Sequence, residues 1–101
     1  MVKREWNIEF TIKAENNIKQ ILLYKTQNIS LLNAQSFLKG FYETLEDLKL
    51  FPRMYAKLPD LDDPNIRHFV YNKYRIIYEL IEDLKIIRIL TLFHSKQKLK
   101  L

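Results

Sequence analysis

The sequence contains no cysteine, one glycine, three prolines and two histidines among its 101 residues. Without cysteine, the chain can form neither disulfide bonds nor the thiolate metal sites of small zinc domains. The single glycine, Gly40, excludes the glycine-rich loops that cradle phosphates in nucleotide-binding domains. Two histidines, His68 and His94, are too few to form a zinc site on their own. We therefore expect a chain that folds on its hydrophobic core alone and uses no metal or other cofactor.

The sequence also lacks an apolar leader and a long apolar run. Val2 is followed by Lys3, Arg4 and Glu5, which is not the pattern of a secretion signal. The longest mostly apolar stretch, residues 74–93, is interrupted by six charged side chains and cannot cross a membrane. These absences predict a cytoplasmic protein with no membrane partner.

The composition is typical of a globular chain, with 48% hydrophobic and 29% charged residues. We expect one domain covering residues 1–101. The net charge of +5 is uneven: residues 1–50 carry seven Lys/Arg and six Asp/Glu, whereas residues 51–101 carry ten and six and end in a basic tail. A basic second half favours a polyanionic or acidic partner, and simple solubility is the alternative explanation.

Hydrophobic periodicity predicts a strand followed by two helices. Apolar and polar residues alternate from Trp6 to Ile12, as in a half-buried strand. The spacing then becomes helical, and Ser30 is a predicted N-cap for the second helix, which Pro52 ends. The apolar stripes of the two helices are Ala14, Ile18, Ile21 and Leu22, then Ala34, Phe37, Leu38, Phe41, Leu45 and Leu48. Two amphipathic helices with a short break predict an antiparallel hairpin.

A loop and three strands are predicted to follow. Residues 53–65 contain prolines and aspartates and predict a loop. Strands are predicted at Ile66–Tyr71, Tyr74–Ile81 and Lys85–Phe93, and their short links require an antiparallel meander. The fold class is therefore α+β: an N-terminal strand, an antiparallel helix hairpin and a three-stranded antiparallel meander. The hairpin would cover one face of the sheet and leave the other exposed.

The last two predicted strands carry the candidate site. If Ile81 pairs with Leu84, then Arg75 lies opposite Leu90 and Glu79 lies opposite Ile86. Strand alternation then places Arg75, Glu79, Arg88 and His94 on the exposed face, and Tyr74, Ile76, Tyr78, Ile87, Ile89 and Phe93 in the core. Such a face could bind a phosphate through arginine and transfer a proton through imidazole. The alternatives are a surface ion pair between Arg75 and Glu79, and an ordinary strand-end role for His94.

The order and spacing of these segments resemble the RelE/ParE toxin superfamily nearly from end to end. The resemblance is most specific in the Tyr-Arg-Ile-Ile-Tyr motif of residues 74–78 and in the strand that ends at Phe93 and His94. It implies a growth-inhibiting, plasmid-stabilising toxin held inactive by a cognate antitoxin. RelE-like members cut messenger RNA on the ribosome as mRNA interferases, whereas ParE-like members inhibit DNA gyrase without being known as nucleases. We expect this chain to be a RelE-like, metal-free mRNA endonuclease that acts with the ribosome on messenger RNA, and inhibition of DNA gyrase is the alternative.

In RelE-like members, the arginine matched by Arg75 contacts the scissile phosphate, and the histidine matched by His94 is an acid or base in some branches. Here Ser95 follows the histidine, where a tyrosine is common in the family. A metal-free ribonuclease needs a base, an acid and cations for the phosphorane. Arg75 would stabilise charge with help from Arg67 or Arg88, and His94 would be the general acid. Glu79 and Asp60 are the candidate bases, and Arg67 has the alternative role of bracing the core side.

Overall fold

A computed structural model describes residues 5–97 of the chain. Its elements, in chain order, are β1 (Asn7–Phe10), α1 (Ile12–Asn28), α2 (Leu31–Leu50), β2 (Ala56–Lys57), β3 (Ile66–Tyr71), β4 (Tyr74–Ile81) and β5 (Ile86–His94). The end of the predicted basic tail, residues 98–101, lies outside the described residues. Within residues 5–97, no helix is both long and apolar enough to cross a membrane.

Side-chain caps define where both helices begin. The Thr11 hydroxyl accepts a hydrogen bond from the amide of Ala14, at the start of α1. Ser30 does the same for the amide of Asn33, which confirms the predicted N-cap of α2. Such a cap is worth about 1 kcal/mol, because it satisfies an amide that has no partner within the helix. Helix α2 ends at Leu50, two residues before Pro52.

The five strands form one mixed sheet in the order β1-β5-β4-β3-β2. β1 is parallel to β5, and the other three pairings are antiparallel. The α+β class and the meander are confirmed. The two-residue strand β2, which pairs Ala56 with His68 and Lys57 with Arg67, lies in the segment predicted as a loop.

The two hairpin turns of the meander differ, and the second overturns the predicted register. Asn72 and Lys73 have φ angles of 48° and 72°, as in the tight turns that match strand twist. The second link is a 3-10 turn, Glu82–Leu84, followed by Lys85 at φ 54°. This longer turn pairs Ile81 with Ile86 rather than with Leu84.

The corrected register changes the cross-strand neighbours in the candidate site. Glu79 lies opposite Arg88, and Arg75 lies opposite Phe93. The predicted partners, Ile86 for Glu79 and Leu90 for Arg75, are wrong. The cause is the turn, because three residues in a 3-10 conformation displace the first pair of β5 by two positions relative to the prediction.

A β-bulge in β5 changes which side chains face the helices. Tyr78 pairs with Ile89, but its neighbour Ile77 pairs with Thr91, which leaves Leu90 without a partner on β4. One extra residue reverses the alternation of the strand beyond it. As a result, Leu92 joins the core cluster, whereas Phe93 lies beside Arg75 on the opposite face.

Two side chains of the α1 region hold the bulge in place. The Thr11 hydroxyl donates to the carbonyl of Leu90 at 2.7 Å. The Asn17 Oδ1 atom accepts from the amide of Leu92 at 3.0 Å and from the Thr91 hydroxyl at 2.9 Å. These bonds satisfy polar groups that the interrupted ladder would leave unpaired.

The helix hairpin covers one sheet face and encloses the core, as predicted. Phe37 and Phe41 of α2 are buried and stack with their ring centroids 6.2 Å apart. The Tyr71 hydroxyl donates to the carbonyl of Phe37 at 2.9 Å, and a Cβ atom at Gly40 would overlap that hydroxyl. A glycine at this position therefore lets β3 approach α2 closely.

Candidate functional site

Arg75 and His68 form a cross-strand pair on the sheet face away from the helices. We call this surface the open face; it carries Glu9, His68, Val70, Arg75, Glu79, Arg88 and Phe93, which share one side by strand pairing. The Arg75 Nη1 atom lies 2.6 Å from the His68 Nδ1 atom. Both side chains are half-buried, so β3 and β4 hold the pair in a defined position.

The contact fixes the protonation state of His68. A guanidinium can only donate hydrogen bonds, so the Nδ1 atom of His68 must accept and the imidazole is neutral. Its remaining proton then lies on Nε2. Burial, and secondly the charge of Arg75, lower the pKa of His68 below its ordinary value of 6.5. Arg75 and neutral His68 together present hydrogen-bond donors to a ligand at this position.

Arg88 lies on the same face but is occupied by carboxylates. Its guanidinium is 3.5 Å from a carboxylate oxygen of Glu9 and 4.0 Å from one of Glu79. Glu79, a candidate general base, is thereby engaged with Arg88. Asp60, the other candidate base, is exposed in the loop before β3.

Arg67 lies on the core side of the sheet, as its alternative role predicted. It pairs with Tyr78 across β3 and β4, and its Nη1 atom donates to the carbonyl of Tyr55 at 2.8 Å. The Tyr78 hydroxyl donates to the carbonyl of Pro52 at 3.0 Å, and burial raises the pKa of Tyr78 to about 12. Both side chains thus anchor the segment after α2, and Arg67 is kept away from Arg75.

His94 is also separated from Arg75, and its predicted face is wrong. Its ring lies 5.6 Å from that of Tyr74, which in turn lies 5.6 Å from Phe37 of α2. His94 lines a surface pocket of about 270 Å³ on the helix side of the sheet, together with Asn17 and Gln20. The bulge at Leu90 is the reason, because it reverses the alternation that placed His94 outward and Phe93 inward.

The four predicted catalytic side chains are therefore not brought together. Arg75 and Arg88 share the open face, whereas Arg67 and His94 lie on the other side of the sheet. The sequence assigns no partner to His68, because the side chain that it contacts, Arg75, lies on the neighbouring strand. Within residues 5–97, no group of three His, Asp or Glu side chains is suited to hold a metal ion.

A second exposed feature lies where the two helices meet. The segment from Thr26 to Leu38 has no charged residue, although 29% of the chain is charged. Near the connection between α1 and α2, five large apolar side chains are exposed by more than half: Leu23, Tyr24, Ile29, Leu31 and Leu32. We call these five residues the hairpin tip. Exposed apolar side chains clustered in this way are typical of protein-binding surfaces.

The fold is similar to those of solved toxins. A chain of the chromosomal ParDE system from P. aeruginosa has a TM-score of 0.70 at 18% identity, covering 88% of this chain and 95% of that one. A free-state mutant of the E. coli toxin RelE has a TM-score of 0.66 at 14% identity, covering 92% and 86%. A chain of the RelBE2 toxin–antitoxin complex from Mycobacterium tuberculosis has a TM-score of 0.56 at 16% identity, covering 90% and 99%.

Sequence comparison goes beyond the fold. No curated protein sequence is significantly similar to this chain. The family model described as the ParE toxin of the type II toxin–antitoxin system parDE matches residues 8–99, which is nearly the whole chain. The chain therefore belongs to the ParE toxin family of type II toxin–antitoxin systems.

Proposed function

We propose that this toxin acts in the cytoplasm by binding and inhibiting DNA gyrase, as ParE-like members do, and that a cognate antitoxin neutralises it. The observation that carries the proposal is the separation of the candidate catalytic groups. A ribonuclease needs an acid, a base and cations around one phosphate. Here His94 and Arg67 lie on the opposite side of the sheet from Arg75. Arg88 is occupied by two glutamates.

An inhibitor that acts by binding needs a surface for its protein target, and we assign that role to the hairpin tip. Its apolar side chains are exposed; residues 26–38, which contain three of them, carry no charge, and the adjacent Lys25 is buried. Burying such side chains supplies about 25 cal/mol per Å² of apolar area. An uncharged surface offers nothing to a phosphate backbone, so the tip suits a protein rather than a nucleic acid.

Two leucines at opposite ends of α2 test whether the hairpin tip binds the target. Leu32 in the tip is 71% exposed and Leu50 at the other end is 72% exposed, so neither substitution creates a core cavity. We expect Leu32→Glu to abolish growth inhibition on induced expression, because it places a charge in the target interface. Leu50→Glu should remain toxic. Circular dichroism and urea unfolding of both purified variants would check that they are folded.

The same expressing cells show whether DNA replication or translation is inhibited first. With the unchanged protein, incorporation of radiolabelled thymidine should fall before incorporation of radiolabelled methionine. Equal toxicity of the two folded leucine variants would show that the hairpin tip is not the surface that binds the target. Early loss of methionine incorporation would contradict gyrase inhibition itself.

A ribosome-dependent mRNA endonuclease of the RelE type is the second candidate. The Arg75–His68 pair favours it, since an oriented arginine on an open sheet face can contact a phosphate. In that case Arg75→Ala should abolish toxicity, because losing a cation that meets transition-state charge costs roughly a hundredfold or more in rate. Under the gyrase proposal, the folded Arg75→Ala variant should stay toxic.

A further inference from the structure

The two arginines of the open face differ in what balances their charge. Arg88 lies between Glu9 and Glu79, so two carboxylates compensate it. Arg75 has no carboxylate within ion-pair distance among residues 5–97, and the group that holds it is the neutral imidazole of His68. A neutral acceptor directs a guanidinium without cancelling its charge. Arg75 is therefore fixed in place while its charge stays available to an anion.

The neighbours of Arg75 indicate which kind of anion fits. Val70 and Phe93 lie directly opposite Arg75 on the two adjacent strands, and Val70 is exposed. Glu79 and Glu9 bring negative charge to the same face. A nucleic-acid backbone is held by several free cations at once, whereas these glutamates engage Arg88 and leave Arg75 as the one uncompensated arginine of the open face. One uncompensated arginine between two apolar side chains instead matches a single carboxylate on a peptide.

We propose that the Arg75–His68 pair binds a single carboxylate side chain of an extended antitoxin segment, and that His68 is a positioning residue for Arg75. This rests on the proposed function only in taking the partner to be the antitoxin. Arg75 would donate to the carboxylate through nitrogens that His68 does not engage.

The test uses the full-length protein and a short probe peptide, Val-Thr-Glu-Thr-Val with blocked ends. In an extended peptide, the glutamate and both valines point to one side. A matched peptide with glutamine in place of glutamate removes only the charge. Titrations followed by nuclear magnetic resonance would report the His68 imidazole and Arg75 guanidinium signals directly. We expect both signals to shift with the glutamate peptide, and the glutamine peptide to bind about tenfold more weakly.

Variants at position 68 distinguish a role in positioning Arg75 from a role in packing alone. His68→Phe keeps a ring but removes the acceptor, and should weaken binding of the glutamate peptide about tenfold. His68→Asn restores an acceptor on a short side chain and should recover most of the affinity. Recovery by asparagine is not expected if the imidazole serves only to fill space.

Other outcomes would overturn the inference. Equal binding of the two peptides, no shift at Arg75, or equal affinity of all three position-68 proteins would show that this pair is not a carboxylate site. Tighter binding of a uridine tetranucleotide than of the glutamate peptide would assign the pair to RNA. A failure here is distinct from failure of the proposed function, because the order of thymidine and methionine arrest does not depend on this site.

Discussion

A charged side chain is available to a partner only if its own protein leaves its charge uncompensated, and three cations of this toxin show the range. Arg88 is compensated by Glu9 and Glu79. Lys25 is buried at 7% exposure, with its ammonium 3.4 Å from the Asn33 amide oxygen and 4.9 Å from the centre of the Phe37 ring. Arg75 differs from both, because it is directed by a neutral imidazole, is only half-buried, and has no carboxylate within ion-pair distance among residues 5–97.

At the same scale, His68 makes stability depend on pH. Its pKa in the folded protein lies below the ordinary 6.5, to which it returns on unfolding. Between these two pKa values the unfolded chain binds more protons, so the free energy of unfolding rises with pH. The stability gained is complete above about pH 6.5 and is lost as the pH falls through that window.

The check is urea unfolding of the unchanged protein and of His68→Asn at about pH 5 and about pH 7.5. The unchanged protein should lose more stability on acidification than the variant does. Carboxylates that titrate in the same range are common to both proteins and cancel in the comparison. An identical loss in both proteins would mean that His68 is not the titrating group.

At the scale of elements, the bulge in β5 decides which side chains can meet. It turns His94 towards the helices and leaves Phe93 beside Arg75. The bulge depends on α1, because Asn17 accepts from the amide of Leu92. Helix α1 therefore helps to determine which side chains of β5 beyond the bulge point towards the helices.

Two adjacent asparagines of α1 test this dependence. Asn17→Ala removes the acceptor for Leu92, and we expect it to lower the free energy of unfolding by about 1–3 kcal/mol. Asn16→Ala is the control, since Asn16 is exposed and the change should fall within about 0.5 kcal/mol of zero. Chemical denaturation measures both. Equal effects of the two substitutions would show that the bulge does not need Asn17.

Periodicity and capping signals were sufficient to predict most elements, but not the arrangement of the site. The cap at Ser30 and the apolar stripe of α2 depend only on residues that are close in sequence, and both predictions are confirmed. In β5, apolar residues such as Ile86 and Ile87 are adjacent in sequence, so alternation cannot reveal where a residue is inserted. The contact between His68 and Arg75 depends on strand pairing and could not be found in sequence spacing.

At the scale of the whole molecule, the two proposed interactions use different surfaces. The hairpin tip is apolar and uncharged, whereas the open face carries one uncompensated arginine among ion pairs. The net charge of +5 favours rapid capture by an acidic antitoxin through long-range steering. If both assignments hold, the antitoxin can be bound without occupying the surface that contacts the target, and neutralisation then requires the antitoxin to extend from the open face to the helices.

The stoichiometry of inhibition tests most directly whether this toxin acts by binding. Increasing amounts of the purified protein would be added to a fixed amount of purified DNA gyrase, and plasmid supercoiling measured. A tight-binding inhibitor should reduce supercoiling in proportion to the amount added until the gyrase is saturated near one toxin per binding site, and Leu32→Glu should have no effect. Two results together would contradict gyrase inhibition. Supercoiling would be unchanged at excess toxin, and far less than one toxin per ribosome would cleave messenger RNA in a purified translation system.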